Sequence, residues 1–350
     1  MGMVVNRKSG QSTQFQMSYH HFSSHVLIPG ACGFIGSHLV EHILANTDWN
    51  ITVLDALTYA GDPARLYEAG KFDRSRVRIF WHDLNAPIMD TLARRIGNVD
   101  FIVNMASNSH IDASIADPVP FVRNNVNIAL HMLEYARQLK LRAFVQISTD
   151  EVYGSVEPGQ VFPEWSTINP SNPYSASKAA MMSIAIAYWR TYGVPLVIVE
   201  PMNNFGERQD REKFVPKCIR SIAAGEEVFL HGTPDNIGSR YYLHARNTSD
   251  AILFLLHRPV SCYPKSDRPD RYNIVGDRRV DNLEMATRIS GIIGLPLRYR
   301  FDHSPRSRPG HDLHYGLDGS KLSVLGWKPP VDFESSLERT VKWMMENPHW

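Results

Sequence analysis

The sequence predicts an α/β protein in which a doubly wound parallel sheet is followed by a smaller, mixed α/β C-terminal lobe. Short β-branched and aromatic runs alternate with helix-like segments through the first half of the chain, and a glycine-rich turn follows the first run. This alternation is typical of βαβ units whose parallel strands are buried on both faces. Beyond Asn204, proline and glycine interrupt the chain more often and the elements become shorter, which predicts the second lobe.

The apolar runs expected to form the sheet span residues 26–28, 51–54, 77–81, 101–105, 144–147 and 194–199. Helices are predicted at 37–45, 176–192, 282–293 and 337–345. In segment 282–293, apolar residues recur at helical spacing along one face. Residues 1–24 are polar and aperiodic, so we expect a disordered extension or leader there. The expected domains are 25–204, which would bind a nucleotide, and 205–350, which would mainly hold the substrate.

Composition argues against several classes of protein. The 350 residues carry 37 Lys and Arg against 36 Asp and Glu, a net charge of +1, which excludes a uniformly basic nucleic-acid-binding surface. The apolar stretches are far shorter than the ~18 residues of a membrane helix, and the amino terminus lacks the apolar core of a signal peptide. The three cysteines are far apart. We therefore expect no disulfide framework, no metal site and a cytoplasmic location.

A dinucleotide site is predicted where the first strand meets the first helix. Gly30, Gly33 and Gly36 have the spacing G-x-x-G-x-x-G, and glycine there permits a tight turn and lets backbone amides approach a pyrophosphate. Asp55 closes the second strand about 20 residues later, where a carboxylate binds the adenosine ribose and repels a 2′-phosphate. Together these signals predict a Rossmann-type domain that binds NAD rather than NADP, although a glycine-rich turn also joins strands to helices without a ligand. Asp83 would contact the adenine or be an ordinary loop aspartate.

Two neighbouring segments carry the residues expected to do chemistry. Thr149, Asp150 and Glu151 leave a buried strand at the sheet edge where ligands bind. Tyr174 and Lys178 are four residues apart and share one face of a helix. An ammonium group there would favour the tyrosinate and lower the tyrosine pKa. The alternatives are a solvated charged turn for the first segment and an exposed helix pair for the second.

With these motifs in place, the sequence resembles the extended short-chain dehydrogenase/reductase family, and in particular its nucleoside-diphosphate-sugar 4,6-dehydratases. The resemblance runs from about residue 25 to residue 347. Its most specific parts are the Thr-Asp-Glu triplet at 149–151 and the run Arg-Pro-Gly-His-Asp at 308–312. The other matching segments are 30–36, 55–61, 109–112, 148–154, 172–178, 203–206, 212–213 and 325–327.

The resemblance implies an NAD-dependent lyase that makes a nucleoside-diphosphate 4-keto-6-deoxy sugar. It would oxidise C4, eliminate water across C5 and C6, and return hydride to C6. Tyr174 would take the C4 hydroxyl proton, Glu151 the C5 proton, and a protonated Asp150 would protonate the departing C6 hydroxyl. Thr149 would hydrogen-bond the C4 oxygen and Lys178 the nicotinamide ribose. Adjacent carboxylates suit this chemistry because like charges push their pKa values apart.

The resemblance also implies binding residues for both ligands. For NAD they are Gly30, Gly33, Phe34, Ile35, Gly36, Asp55, Leu57, Thr58, Asp83, Leu84, Met105, Ala106, Ser107, Asn124, Tyr174, Lys178 and Asn204. For the nucleotide sugar they are Ser109, His110, Thr149, Asn203, Lys213, Phe214, Arg240, Asn273, Arg308, His311 and Tyr315. Arg240 paired with a surface carboxylate, His311 as a satisfied loop histidine and His110 as an ordinary sheet-end residue are the alternative interpretations.

Departures from the family pattern border the substrate pocket. They lie at 106–110, at Ala113, where the family has arginine, and at 241–248. They leave open a dTDP-hexose, a UDP-sugar or an aminosugar as substrate. The same fold also supports a 4-epimerase, a decarboxylase or a 5,6-dehydratase, and a non-catalytic NAD-binding regulatory protein is a more remote alternative.

The family also implies a homodimer that forms through a bundle of two long helices from each subunit, here 119–139 and 176–192. We expect Met181, Met182, Ile184 and Ile186 to exceed what one helix face can bury in its own core. A helix buried wholly within its own chain is the alternative. No nucleic-acid or membrane partner is expected.

Overall fold

The computed structural model describes residues 23–157, 159–262, 264–302 and 310–350. Its strands are β1 His25–Pro29, β2 Asn50–Asp55, β3 Val77–Trp81, β4 Phe101–Asn104, β5 Ala143–Ile147, β6 Leu196–Pro201, β7 Asn204–Phe205, β8 Val228–Thr233, β9 Asn236–Ile237, β10 Ser239–Arg240, β11 Leu243–His244, β12 Asp270–Ile274, β13 Val280–Asp281 and β14 Tyr299–Asp302. Its helices are α1 Phe34–Asn46, α2 Ala64–Tyr67, α3 Asp90–Ile96, α4 Ile111–Ala116, α5 Pro118–Ala136, α6 Pro173–Tyr192, α7 Phe214–Ala223, α8 Ala245–Leu256, α9 Asn282–Ile293, α10 Ser320–Val324 and α11 Phe333–Glu346. A short 3-10 helix spans Asp150–Tyr153.

A seven-stranded parallel sheet forms the centre of the molecule, in the order β12-β6-β5-β4-β1-β2-β3. The reversal of strand order beside β1 is the switch point at which doubly wound sheets bind ligands. Successive residues of β1 pack on opposite faces: Val26 and Ile28 join one core cluster, and Leu27 joins another. The predicted fold class is therefore confirmed, with all six predicted strands present.

The sheet is completed by a segment from the range predicted for the second lobe. Strand β12 pairs with β6, and α8 packs beside α1 on one face of the sheet. The sequence did not indicate this return because β12 carries the polar residues Arg271 and Asn273 at buried positions. Those two side chains are satisfied by tertiary contacts that a local pattern does not show.

The second lobe is mixed, as predicted. Strand β8 pairs in parallel with β14 and antiparallel with β9. Helices α7 and α9 pack against β8, and α11 packs against these two helices around a separate apolar core. Helix α9 has the predicted bounds, whereas α11 begins at Phe333, earlier than predicted, because Asp332 caps its first turn by accepting a hydrogen bond from the Ser335 amide.

Two of the four residues on which the dimer prediction depends are buried within the chain itself. Met181 and Met182 on α6 are fully buried in the chain's own core, which contradicts the expectation that they exceed it. Ile184 and Ile186 are half-buried. The homodimer therefore stays a prediction.

No helix within the described ranges is long and apolar enough to cross a membrane. Residues 1–22, which make up most of the predicted extension, lie outside these ranges.

Candidate active site

A cavity of about 650 Å³ lies between the carboxyl edge of the large sheet and the second lobe. The five predicted catalytic residues line it. So do all predicted cofactor residues except Leu57, whose side chain is partly exposed and whose amide donates to Asp55. The structure therefore brings together, in one cavity, segments that are far apart along the chain.

The glycine turn joins β1 to α1 at one end of this cavity. Gly30 has a φ of +78°, and a Cβ there would lie 2.6 Å from the Cα of Ala106 at the end of β4. Only glycine fits this close approach. Phe34, Ile35 and Gly36 begin α1 and line the cavity, and no side chain of the described residues caps this helix end. Its first-turn amides are thus available to an anionic group such as a pyrophosphate.

Asp55 lies at the end of β2 beside this turn and is largely buried. Its Oδ2 accepts a 2.9 Å hydrogen bond from the Cys32 amide, and its Oδ1 accepts one of 2.9 Å from the Leu57 amide. These bonds fix the carboxylate at the cavity wall, and each oxygen has a further lone pair that can accept a ribose hydroxyl. The donors and acceptors at this end of the cavity therefore fit NAD.

The loop after β5 carries two buried carboxyl groups into the cavity. The Thr149 hydroxyl donates to Asp150 Oδ1 at 2.9 Å, and it accepts the Glu151 amide at 3.4 Å, which starts the 3-10 helix. Asp150 Oδ2 and the Ser148 hydroxyl are buried without a hydrogen-bond partner in the described part of the chain. Buried polar atoms of this kind are rare in folded proteins, and in a cavity they indicate a ligand-binding surface.

The two carboxyl groups titrate near neutrality. Burial raises the pKa of Asp150 to about 6, with the Thr149 hydrogen bond opposing the rise. Burial together with the charge of Asp150 raises the pKa of Glu151 to about 8. Because the two groups interact, these values belong to the pair as a unit, and the assignment of the proton to Asp150 stays a prediction.

Tyr174 and Lys178 lie on the first turns of α6. The helix begins at Pro173 because Asn172 and Ser175 form a reciprocal capping box. Burial lowers the pKa of Lys178 to about 7, and its Nζ lies 3.4 Å from the Ser107 hydroxyl. Burial and the neighbouring charges of Glu151 and Asp150 raise the pKa of Tyr174 well above its usual value.

The expected lowering of the Tyr174 pKa by Lys178 is therefore wrong for this structure. A buried lysine whose own pKa is near 7 is charged only part of the time, and it bonds Ser107. The negative charges of Glu151 and Asp150 also disfavour the negatively charged tyrosinate.

Cationic and polar groups line the part of the cavity formed by the second lobe. The Arg240 guanidinium lies 4.5 Å from the centre of the Tyr315 ring and donates to the carbonyls of Ser239, Leu313 and Asp312. The Lys213 Nζ lies 3.4 Å from the Ser109 carbonyl, and Asn203 Oδ1 is buried without a hydrogen-bond partner among the described residues. This half of the cavity suits an anion.

Most of the other predicted substrate residues are also placed at the cavity. His110, His311 and Phe214 line it; His110 Nε2 lies 3.1 Å from Glu212, and His311 Nε2 lies 2.7 Å from Asp112. Asn273 does not line it: its side-chain amide donates to the Phe162 and Asp318 carbonyls and ties a loop to β12. The prediction for Arg308 lies outside the described residues.

Several cavity residues were not predicted. They include Phe229 and His231 on β8 and Asp302 at the end of β14. These two strands pair with each other, so the three residues line the same part of the cavity. Phe229 and His231 lie two residues apart on one strand face, a spacing that any amphipathic strand shows. No local signal therefore distinguished them from an ordinary surface strand.

Comparison with known proteins confirms the family resemblance. The model of the NAD dependent epimerase/dehydratase family matches residues 26–274. The chain is 36% identical over 322 residues to the low-salt glycan biosynthesis protein Agl12 of Haloferax volcanii, covering 91% of this chain and 98% of that protein. It is 32% identical over 361 residues to a dTDP-glucose 4,6-dehydratase of Escherichia coli, covering 93% of this chain and 94% of that protein.

A solved structure supports the same family. DesIV, a dTDP-glucose 4,6-dehydratase from Streptomyces venezuelae determined with NAD bound, is similar with a TM-score of 0.80 and 35% identity, covering 93% of this chain and 98% of that chain. The NAD-fitting cavity and the extent of these matches lead to one assignment. The chain belongs to the NAD-dependent epimerase/dehydratase family of extended short-chain dehydrogenases/reductases, and its cofactor is NAD.

Proposed function

We propose that the protein is a nucleoside-diphosphate-hexose 4,6-dehydratase, a hydro-lyase that makes a 4-keto-6-deoxy sugar. The observation that carries this proposal is the buried pair Asp150 and Glu151, which lines the same cavity as Tyr174. A pair with pKa values of about 6 and 8 holds one proton at neutral pH and so offers one acid and one base. Simple inversion at C4 needs no such pair beside the tyrosine.

Tyr174 would accept the C4 hydroxyl proton, with Thr149 binding the same oxygen. NAD, when bound, supplies the hydride acceptor for C4 and the hydride donor for C6. Lys178 and Asp55 would bind its ribose hydroxyls, and the first turn of α1 its pyrophosphate. Tyr174 would accept this proton as the tyrosinate. Burial and the neighbouring carboxyl groups raise its pKa, so the tyrosinate would form only in the complex, where the positive charge of NAD favours it.

Glu151 would remove the C5 proton once C4 is a ketone, and Asp150 would protonate the leaving C6 hydroxyl to release water. Glu151 then returns its proton to C5 when C6 is reduced. The cycle closes when the proton held by Tyr174 replaces the proton that Asp150 gave up. At neutral pH the pair holds one proton, and this cycle would require that proton on Asp150 when the C6 hydroxyl leaves.

The cations of the second lobe support a nucleoside diphosphate as the activating group. Lys213 and Arg240 line the cavity, as does Lys217, which the sequence analysis did not single out. Ammonium and guanidinium groups bind phosphate oxygens through charge-assisted hydrogen bonds. We propose a dTDP-hexose or a UDP-sugar as substrate.

The test is the mass of the product after incubation with a panel of nucleotide sugars. We expect the loss of one water and a 4-keto product from at least one dTDP- or UDP-hexose. An unchanged mass with inversion at C4 would instead assign the chain to the epimerases of its family.

A further inference from the structure

The short 3-10 helix that carries the paired carboxyl groups makes long backbone hydrogen bonds at both of its ends. The Val152 amide lies 3.4 Å from the Thr149 carbonyl, and the Gly154 amide lies 3.3 Å from the Glu151 carbonyl. Both are longer than a typical N–H···O bond of about 2.9–3.0 Å. The orientation of Asp150 and Glu151 therefore depends on contacts that the helix makes with the rest of the protein.

Tyr153, the last residue of this helix, makes such contacts from behind the cavity. Its hydroxyl lies 2.8 Å from the Glu164 carbonyl oxygen and 2.9 Å from Glu200 Oε2, both of which are acceptors. Its ring stacks on Phe162 with 5.3 Å between centroids. The side chain is fully buried and does not line the cavity. Tyr153 thus holds the helix without reaching the substrate.

One of the two acceptors of Tyr153, Glu200, is itself fixed by a buried ion pair. Glu200 on β6 receives two hydrogen bonds from Arg271 on β12, from Nε to Oε2 at 2.8 Å and from Nη2 to Oε1 at 2.5 Å. Both side chains are fully buried, and the Arg271 guanidinium lies 5.1 Å from the centre of the Tyr153 ring. An apolar pair would fill the same space at lower desolvation cost. The ion pair, in contrast, holds Glu200 Oε2 in place as an acceptor for the Tyr153 hydroxyl.

We propose that Tyr153 is a positioning residue: anchored to the Glu200–Arg271 pair, it keeps Asp150 and Glu151 in the orientation that water elimination requires. The inference rests on the proposed function, because it assigns the anchor to elimination. Tyr174 and Lys178 lie on α6, which has its own capping box, so we expect C4 oxidation to depend on the anchor less than elimination does.

The primary test compares Tyr153→Phe with Tyr135→Phe. The control removes a buried hydroxyl that has no hydrogen-bond partner among the described residues and lies on α5 away from the cavity. We expect Tyr153→Phe to slow water loss by about 10- to 100-fold, the scale of a misplaced catalytic group. KM and the rate of cofactor reduction by substrate should change little, and the limbs of the pH profile should move. Tyr135→Phe should match the wild type.

A second variant removes the anchor from the other side. Glu200→Leu combined with Arg271→Met deletes both charges, so no buried charge is left unpaired. Water loss should slow by about 10- to 100-fold in this double variant, because the Tyr153 hydroxyl keeps only its bond to the Glu164 carbonyl. Water loss at the wild-type rate here would overturn the positioning role even if Tyr153→Phe fails to fold.

The inference and the proposed function fail in different ways. If Tyr153→Phe eliminates water at the wild-type rate, or slows every step equally with an unmoved pH profile, the positioning role is wrong and the dehydratase function stands. A wild-type protein that inverts C4 without losing water overturns the function and, with it, this inference.

Discussion

The Thr149 hydroxyl donates a 2.9 Å hydrogen bond to Asp150 Oδ1 and accepts the Glu151 amide at 3.4 Å. One side chain thus contacts both residues that carry the proposed elimination. Its bond to Asp150 opposes the effect of burial on the Asp150 pKa, whereas Glu151 accepts a longer bond of 3.5 Å from Asn172. Burial raises the pKa of both carboxyl groups, and the charge of Asp150 raises that of Glu151 further.

The pair predicts a bell-shaped pH dependence of kcat/KM for water loss. The pKa values are about 6 for Asp150 and about 8 for Glu151, and they describe the pair as a unit. Below the lower value both groups are protonated and there is no base; above the higher value both are ionised and there is no acid. Product formation measured across this range at constant ionic strength should fall on both sides. A rate that stays constant through both values would contradict the assignment.

Thr149→Val should move the acid limb of this profile to higher pH. The variant removes a hydrogen bond that favours ionised Asp150, so the Asp150 pKa rises toward that of Glu151. A hydrogen bond to a charged group contributes about 1.5–3 kcal/mol, which corresponds to a shift of the acid limb by about one to two pH units. Thr149→Ser keeps the hydroxyl and should keep the wild-type limb. An unmoved limb in the valine variant would show that this bond does not set the Asp150 pKa.

Gly30→Ala should destabilise the protein and weaken NAD retention. The new Cβ would lie 2.6 Å from the Ala106 Cα, and the positive φ adds strain of about 1–3 kcal/mol. Gly70→Ala is the matched control, because that position has open space and a φ outside the left-handed region. Thermal unfolding and the NAD content of the purified protein would be measured for both variants. Equal stability of the two would refute the close approach of the turn to β4.

The parts of the site that are local in sequence could be predicted. The glycine turn, Asp55 and the pair Tyr174 and Lys178 each occupy a fixed spacing relative to a strand or helix, and all line the cavity. Their prediction needs no knowledge of the tertiary fold beyond the parallel sheet.

Features that depend on distant contacts could not be predicted. Asn273 belongs to a strand that completes the large sheet, where its amide bonds two loop carbonyls instead of the substrate. His231 and Asp302 lie opposite each other because β8 pairs with β14, some seventy positions later in the chain. The raised pKa values of Asp150 and Glu151 depend on burial and on individual hydrogen bonds, which no spacing indicates.

The central claim is that Tyr174 acts in C4 oxidation and that Glu151 acts after it. Tyr174→Phe removes the proton acceptor and should slow reduction of the bound cofactor by about 10²–10⁴-fold, the contribution of a general base. Glu151→Gln keeps Tyr174 and Lys178, so cofactor reduction should proceed while water loss stops. The two variants therefore separate the steps.

The most direct measurement is a single turnover of Glu151→Gln in deuterated water, with the true substrate, following cofactor reduction and deuterium uptake at C5 together. We predict that the cofactor is reduced and that C5 takes up little or no deuterium. Deuterium uptake at C5 as fast as in the wild type would show that another residue is the base, and would contradict the role assigned to the Asp150–Glu151 pair.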